Sequence, residues 1–192
     1  MNHWGIDAVN PALPPAKTEE TIIPNPFAPL ALVAAIAAGL LATPATAQSV
    51  RVLGEHNAWS AYATTESEGR ICFVLSRPTA TEPASSGTGG AYFYITHRPA
   101  QAIRSEINLV AGYQFAAGSV ATLSVGGQGF ELYTEGDAAW LADPGEAGAA
   151  VQAIRAGSSM VIEGTAASGE TVRQRFSLSG ATAATTDING AC

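Results

Sequence analysis

Val120-Ala121-Thr122-Leu123-Ser124-Val125-Gly126-Gly127-Gln128-Gly129-Phe130-Glu131-Leu132-Tyr133-Thr134 is the stretch that decides how this chain folds. A glycine loop that cradles phosphate runs into a helix, whereas Phe130-Glu131-Leu132-Tyr133 keeps the two-residue period of a strand. The segment therefore reads as two strands, Val120–Val125 and Gly129–Thr134, joined as a hairpin. Runs of the same kind recur around it: Val50–Leu53, Trp59–Thr64, Arg70–Ser76, Ala91–Thr96, Ser105–Ala111, Ser159–Gly164 and Thr171–Leu178. Short runs at regular spacing with turn residues between them predict a mainly β protein, an antiparallel β-sandwich or barrel-like domain. In the third of them Ile71, Phe73 and Leu75 share one face and Cys72, Val74 and Ser76 the other, so both faces are expected to be at least partly covered. Thr79–Gly90 reads as one long flexible loop.

One α-helix is expected to pack on this β core. Asp143 stands before Pro144 and three residues ahead of Glu146, the order of an N-cap acid, a first-turn proline and a capping-box partner. Ala147, Ala150, Val151 and Ile154 follow at helical spacing as one apolar stripe. Arg155 suits the negative end of the helix, and Gly157 is the expected left-handed cap. The tail from Gly180 to Ala191 is rich in Thr and Gly and predicts at most a weak helix.

The chain is acidic, with a formal net charge of −7 and only 13% charged residues. Lys17 is its one lysine, and the other eight basic residues are arginines scattered beyond residue 50. No basic cluster with interleaved aromatics occurs, which argues against nucleic acid and against an anionic lipid surface as partners. Pro29 to Thr43 is an uncharged run of Ala and Leu, closed by Pro44-Ala45-Thr46-Ala47. The small residues Ala45 and Ala47 form the A-x-A pattern of a signal-peptidase site, with cleavage expected before Gln48. The run is also shorter than the roughly 20 residues a spanning helix needs. The expected organisation is an extension and signal peptide over 1–47 and a β-rich domain over 48–192. Membrane contact would then be transient and through the signal alone; the alternative is an inner-membrane anchor formed by an uncleaved 29–47 segment. An acidic, proline-rich stretch precedes the run where a signal is ordinarily basic, which a misassigned start codon would explain.

The search for chemistry is mostly negative. His56 and His97 are the two histidines of the mature domain, and no C-x-x-C, H-E-x-x-H or G-x-S-x-G pattern occurs. No catalytic residue, metal site or cofactor is implied. Glu131, Glu135 and Asp137 lie close together, but Glu135-Gly136-Asp137 reads more simply as a turn than as a carboxylate pair. Trp59 and Trp140 read as core or hairpin aromatics. Thr96-His97-Arg98-Pro99 closes the aromatic run Tyr92-Phe93-Tyr94, and Tyr92, Tyr94, His97 and Arg98 form the candidate binding surface, suited to an anion or a sugar. The reading favoured over it is that Pro99 ends an edge strand whose polar pair merely faces solvent.

Cys72 and Cys192 are the two cysteines, and both lie beyond the export signal. In an oxidising envelope they are expected to form a disulfide, the alternatives being an inert buried thiol at Cys72 and a free or intermolecular thiol at Cys192.

The order of motifs resembles the invasion-associated locus B family of proteobacterial envelope proteins. The matching segments are Trp59-Ser60-Ala61-Tyr62, Arg70-Ile71-Cys72-Phe73, Tyr92-Phe93-Tyr94-Ile95 with Arg98-Pro99, and Glu106-Ile107-Asn108. They continue with Gly112-Tyr113-Gln114-Phe115, Tyr133 to Trp140, Met160 to Thr165, Phe176 to Gly180 and Cys192, covering nearly the whole mature domain. The resemblance implies a periplasmic or secreted β-rich protein, sometimes linked to host-cell invasion, with no catalytic residues to carry over. The expected function is an exported, non-enzymatic binding or cell-surface module whose partner is an unidentified protein or envelope component. The alternatives are a small periplasmic hydrolase and an inhibitor or chaperone-like module.

Overall fold

The computed structural model describes residues 49–85 and 90–192. The segment expected to be a signal over 1–47, with its expected cleavage site, and residues 86–89 of the long loop lie outside them. Eleven strands follow in order: β1 Arg51–His56, β2 Trp59–Glu66, β3 Gly69–Ser76, β4 Ala80–Glu82, β5 Tyr92–Arg98, β6 Ile103–Val110, β7 Val120–Val125, β8 Gln128–Glu135, β9 Ala138–Leu141, β10 Ser159–Thr165 and β11 Thr171–Ser177. They form one sheet ordered β1-β2-β3-β5-β6-β9-β8-β7-β10-β11-β4, with every neighbouring pair antiparallel. The ends β1 and β4 are not paired with each other, so the sheet curls as an open sandwich rather than closing as a barrel.

The nine expected strands all form, and the glycine link is the hairpin turn of β7 and β8. Gly126 and Gly127 both take positive φ between Val125 and its partner Gln128, a conformation that side chains resist. Two strands go beyond the expectation. The loop over 79–90 contributes β4, which pairs with Arg173–Arg175 of β11, and the turn at Gly136-Asp137 leads into β9.

Alternation buries one face of most of the strands. Trp59, Val74, Phe93, Ile95, Leu109, Leu123, Ile162 and Phe176 point into a common core. Opposite walls meet there: the Trp59 indole donates to the Ser177 carbonyl at 2.9 Å, and Phe93 and Phe176 lie 5.9 Å apart. Gln174, buried on β11, donates to the Ala111 carbonyl at 2.8 Å. Tyr113 packs against Phe115 at 4.8 Å, and burial pushes its hydroxyl pKa up to about 12.

Helix α1, Ala147–Ala156, forms where the apolar stripe predicts it and buries Ala147, Ala150 and Ile154. Its start differs from a capping box. Pro144–Glu146 is a turn of 3-10 helix, and Asp143 Oδ1 accepts from the Gly145 N–H at 2.8 Å. Gly157 is not left-handed either; its φ is −83°. Glycine is needed there for space, since a Cβ would stand 2.9 Å from both Leu178 and Val125 side chains. Asp143→Ala should cost about 0.5–2 kcal/mol as a lost cap, and Ile154→Ala about 2–5 kcal/mol as a core truncation. Urea unfolding of both variants checks the order, and equal negligible losses would contradict the packing described here.

A second helix, α2, spans Ala181–Ala191 and is stronger than the tail's composition suggests. It buries Ala181, Ala184, Thr185 and Ile188 against β1, β2 and β3. Five tethers hold its far half. Cys192 is disulfide-bonded to Cys72, with a Cα–Cα distance of 6.0 Å. Asp187 meets His56 at 2.7 Å, Asn189 meets His97 at 2.8 Å, and Arg70 and Arg104 donate to the carbonyl oxygens of Ala191 and Cys192 at 3.0 and 2.8 Å.

Candidate functional site

Because successive strand residues point to opposite faces, the residues between the core positions define the outer face of the sheet. Hydrogen-bonded register aligns them into rows. One row runs Ser60, Leu75, Tyr94, Asn108, Trp140, Tyr133 and Val120 across β2, β3, β5, β6, β9, β8 and β7. A second runs Val52, Tyr62, Phe73 and Thr96 across β1, β2, β3 and β5. The aromatics of this face touch in two groups, with Asn108 between them in the first row. Tyr62 stacks on Phe73 at 5.2 Å, Phe73 and Tyr94 are 6.3 Å apart, Tyr94 and Tyr92 are 6.3 Å apart, and Tyr133 stacks on Trp140 at 5.4 Å.

This belt is a surface, not a second core. Ile71, Phe73, Leu75, Tyr62, Tyr92, Tyr94 and Trp140 are each half-buried. At its ends Val52, Val120 and Tyr133 are 53%, 54% and 48% exposed, three of the four large hydrophobics most open to solvent among the described residues. The expectation that both faces of β3 are partly covered is met on this side by neighbouring rings. Arg77 completes the patch: its guanidinium lies 4.8 Å over the Tyr92 ring and donates to the Tyr92 hydroxyl at 2.9 Å. Burial raises the Tyr94 hydroxyl pKa and the neighbouring Tyr92 adds to this, while Arg77 opposes it. Tyr94 thus stays a neutral donor at physiological pH.

The structure divides the four residues read from sequence as a binding surface. Tyr92, Tyr94 and Arg98 lie on the outer face, and Arg98 pairs with Glu106 at 2.7 Å. His97 points into the core at 2% exposure, beside its register partner Cys72. Its Nδ1 accepts from the Ser105 N–H at 3.0 Å, so the proton sits on Nε2, which donates to Asn189 Oδ1. Both ring nitrogens are committed, which leaves none to accept a proton from a nucleophile. The edge-strand reading fails too, because β5 lies between β3 and β6. The two-residue period already separates His97 from Tyr92 and Tyr94, and it is the signal that would have excluded it. Trp59 is core, whereas Trp140 belongs to the outer belt; that membership depends on the β6–β9 and β8–β9 pairings.

Among the described residues no group of His, Cys, Asp and Glu is placed to hold a metal, and no helix is long and apolar enough to cross a membrane. A family model described as invasion associated locus B (IalB) protein matches residues 59–189. A crystal structure of invasion associated protein b from Bartonella henselae is similar with a TM-score of 0.54 and 13% sequence identity, over 73% of this chain and 97% of that one. At that identity the likeness concerns the fold. A search of curated proteins finds no match.

Proposed function

The chain belongs to the invasion associated locus B family, and on that premise we propose that it is an exported, non-enzymatic envelope module that binds a macromolecular partner through the outer face of its sheet. Export rests on the signal-like segment over 29–47, and a role at the interface with a host cell fits the family's name. The observation that carries the binding reading is the aromatic belt itself. A contiguous exposed apolar surface is disfavoured on a protein that stays alone, and Trp, Tyr and Arg are the residues that dominate binding energy. Here Tyr62, Tyr92, Tyr94, Tyr133, Trp140 and Arg77 gather on one face.

Tyr62 with Phe73 and Tyr133 with Trp140 are stacked at interplanar angles of 22° and 18°, so one face of each ring is turned to its neighbour. Tyrosine rings with free hydroxyls suit mixed apolar and hydrogen-bonded contact with a protein. The test is retention of the partner from the organism's own envelope extract by immobilised protein. Tyr94→Ala and Trp140→Ala should each weaken retention about 30-fold, the loss of one hot-spot aromatic, with thermal unfolding still cooperative. Undiminished capture by both variants would remove the face from consideration.

A further inference from the structure

The inward face of the sheet is apolar along β2 and β3 until one end, where it turns cationic and hydroxylated. Arg51 stands opposite Ala63, and one row further out Thr65 stands opposite Arg70. With Thr64, Ser67 and Ala191 they line an open cleft of about 630 Å³, where Glu66 is the one carboxylate. Arg70 and Arg104 both reach the last two residues beyond Ile188. Three of the eight described arginines thus converge on one end of a chain whose formal net charge is −7. Arg70 and Arg104 have an evident structural use, since cations complement the negative end of α2. Arg51 has none: among the described residues its guanidinium makes no hydrogen bond or ion pair, yet it lines the same cleft as Arg70.

We infer that this cleft binds a phosphate group. Guanidinium forks match oxyanions and keep their charge at every physiological pH. Two of them, in a cleft also lined by Thr65 and Ser67, suit a tetrahedral group with several acceptor oxygens better than a planar carboxylate with two. The phosphate belongs either to a small soluble ligand or to a lipid headgroup. This site is separate from the aromatic belt, and its failure would leave the binding role of that face untouched.

Inorganic phosphate titrated into the purified protein, at ionic strength held constant with chloride, provides the test. The Nε–Hε resonances of Arg51 and Arg70 should shift saturably. Arg51→Gln should weaken the apparent affinity about tenfold, the value of one charge-assisted hydrogen bond, while unfolding stays unchanged because Arg51 makes no hydrogen bond or ion pair among the described residues. Vesicles of phosphatidylcholine with and without phosphatidic acid separate the two sources. Retention on the phosphatidic acid vesicles that is lost in Arg51→Gln assigns a headgroup, and saturable phosphate binding without vesicle retention assigns a soluble ligand. Shifts that stay linear in phosphate, or an affinity identical in Arg51→Gln, overturn the inference.

Discussion

Reducing the Cys72–Cys192 bond, or replacing Cys192 by Ser, is expected to lower the unfolding free energy by about 2–5 kcal/mol. The bridge joins residues 120 apart in sequence. Closing a loop of that length in the unfolded chain gives a chain-entropy ceiling of about 5 kcal/mol, which residual structure in the unfolded state reduces. The native side of the argument is local. Apart from Asp187 and Ile188, helix α2 is built from Ala, Thr, Asn and Gly, and three threonines with Asn189 and Gly190 give it little intrinsic helicity. It persists because Ala181, Ala184 and Ile188 pack on the strands and because its far end is fastened. With the bridge open, only the His56–Asp187 and His97–Asn189 contacts and the Arg70 and Arg104 hydrogen bonds fasten that end, so α2 should loosen before the sheet does. Urea unfolding with and without reductant measures the loss, and hydrogen exchange at Ile188 and Asn189 locates it. Unchanged stability in Cys192→Ser would show that the remaining tethers suffice.

The strands were legible in the sequence because one face of each is buried, and alternation records that directly. Strands β4 and β9 were not, for different reasons. Ala80-Thr81-Glu82 is too short to show a period, and Ala138 and Ala139 are both buried, so β9 lacks alternation. Helix α2 was obscured by its composition; what stabilises it is tertiary and involves residues about 90 to 130 positions away. The aromatic face shows the same limit. Tyr92 and Tyr94 could be read as neighbours on one strand, but their continuity with Tyr62 and Trp140 depends on β5 lying between β3 and β6, and β6 beside β9. That order skips along the chain, and no local pattern encodes it. His97 was misplaced for the opposite reason: both readings set it at the surface, although the local two-residue period already places it on the face opposite Tyr92 and Tyr94.

Gly180→Ala is expected to be among the most damaging single substitutions, at about 2–6 kcal/mol from backbone strain and overpacking together. Gly180 precedes α2 with φ +97°, a conformation that side chains rarely adopt. Space is the larger difficulty. A Cβ built there would stand 1.8 Å from the carbonyl oxygen of His56, and a backbone atom cannot swing aside as a side chain can. The contact exists because the β1–β2 turn folds onto the start of α2, where the Ala58 N–H also donates to the Ser179 carbonyl at 3.2 Å. An alanine must therefore push the helix away from β1, which stretches the His56–Asp187 pair beyond it. Gly118 provides the control, because its φ is +69° but nothing lies within 4 Å of its Cβ position. Gly118→Ala should lose only the backbone part, about 1–2 kcal/mol. Urea unfolding of the two variants separates conformational strain from close approach. Similar losses at both positions would mean that the β1–β2 turn yields easily and that the fastening of α2 resides in its far end alone.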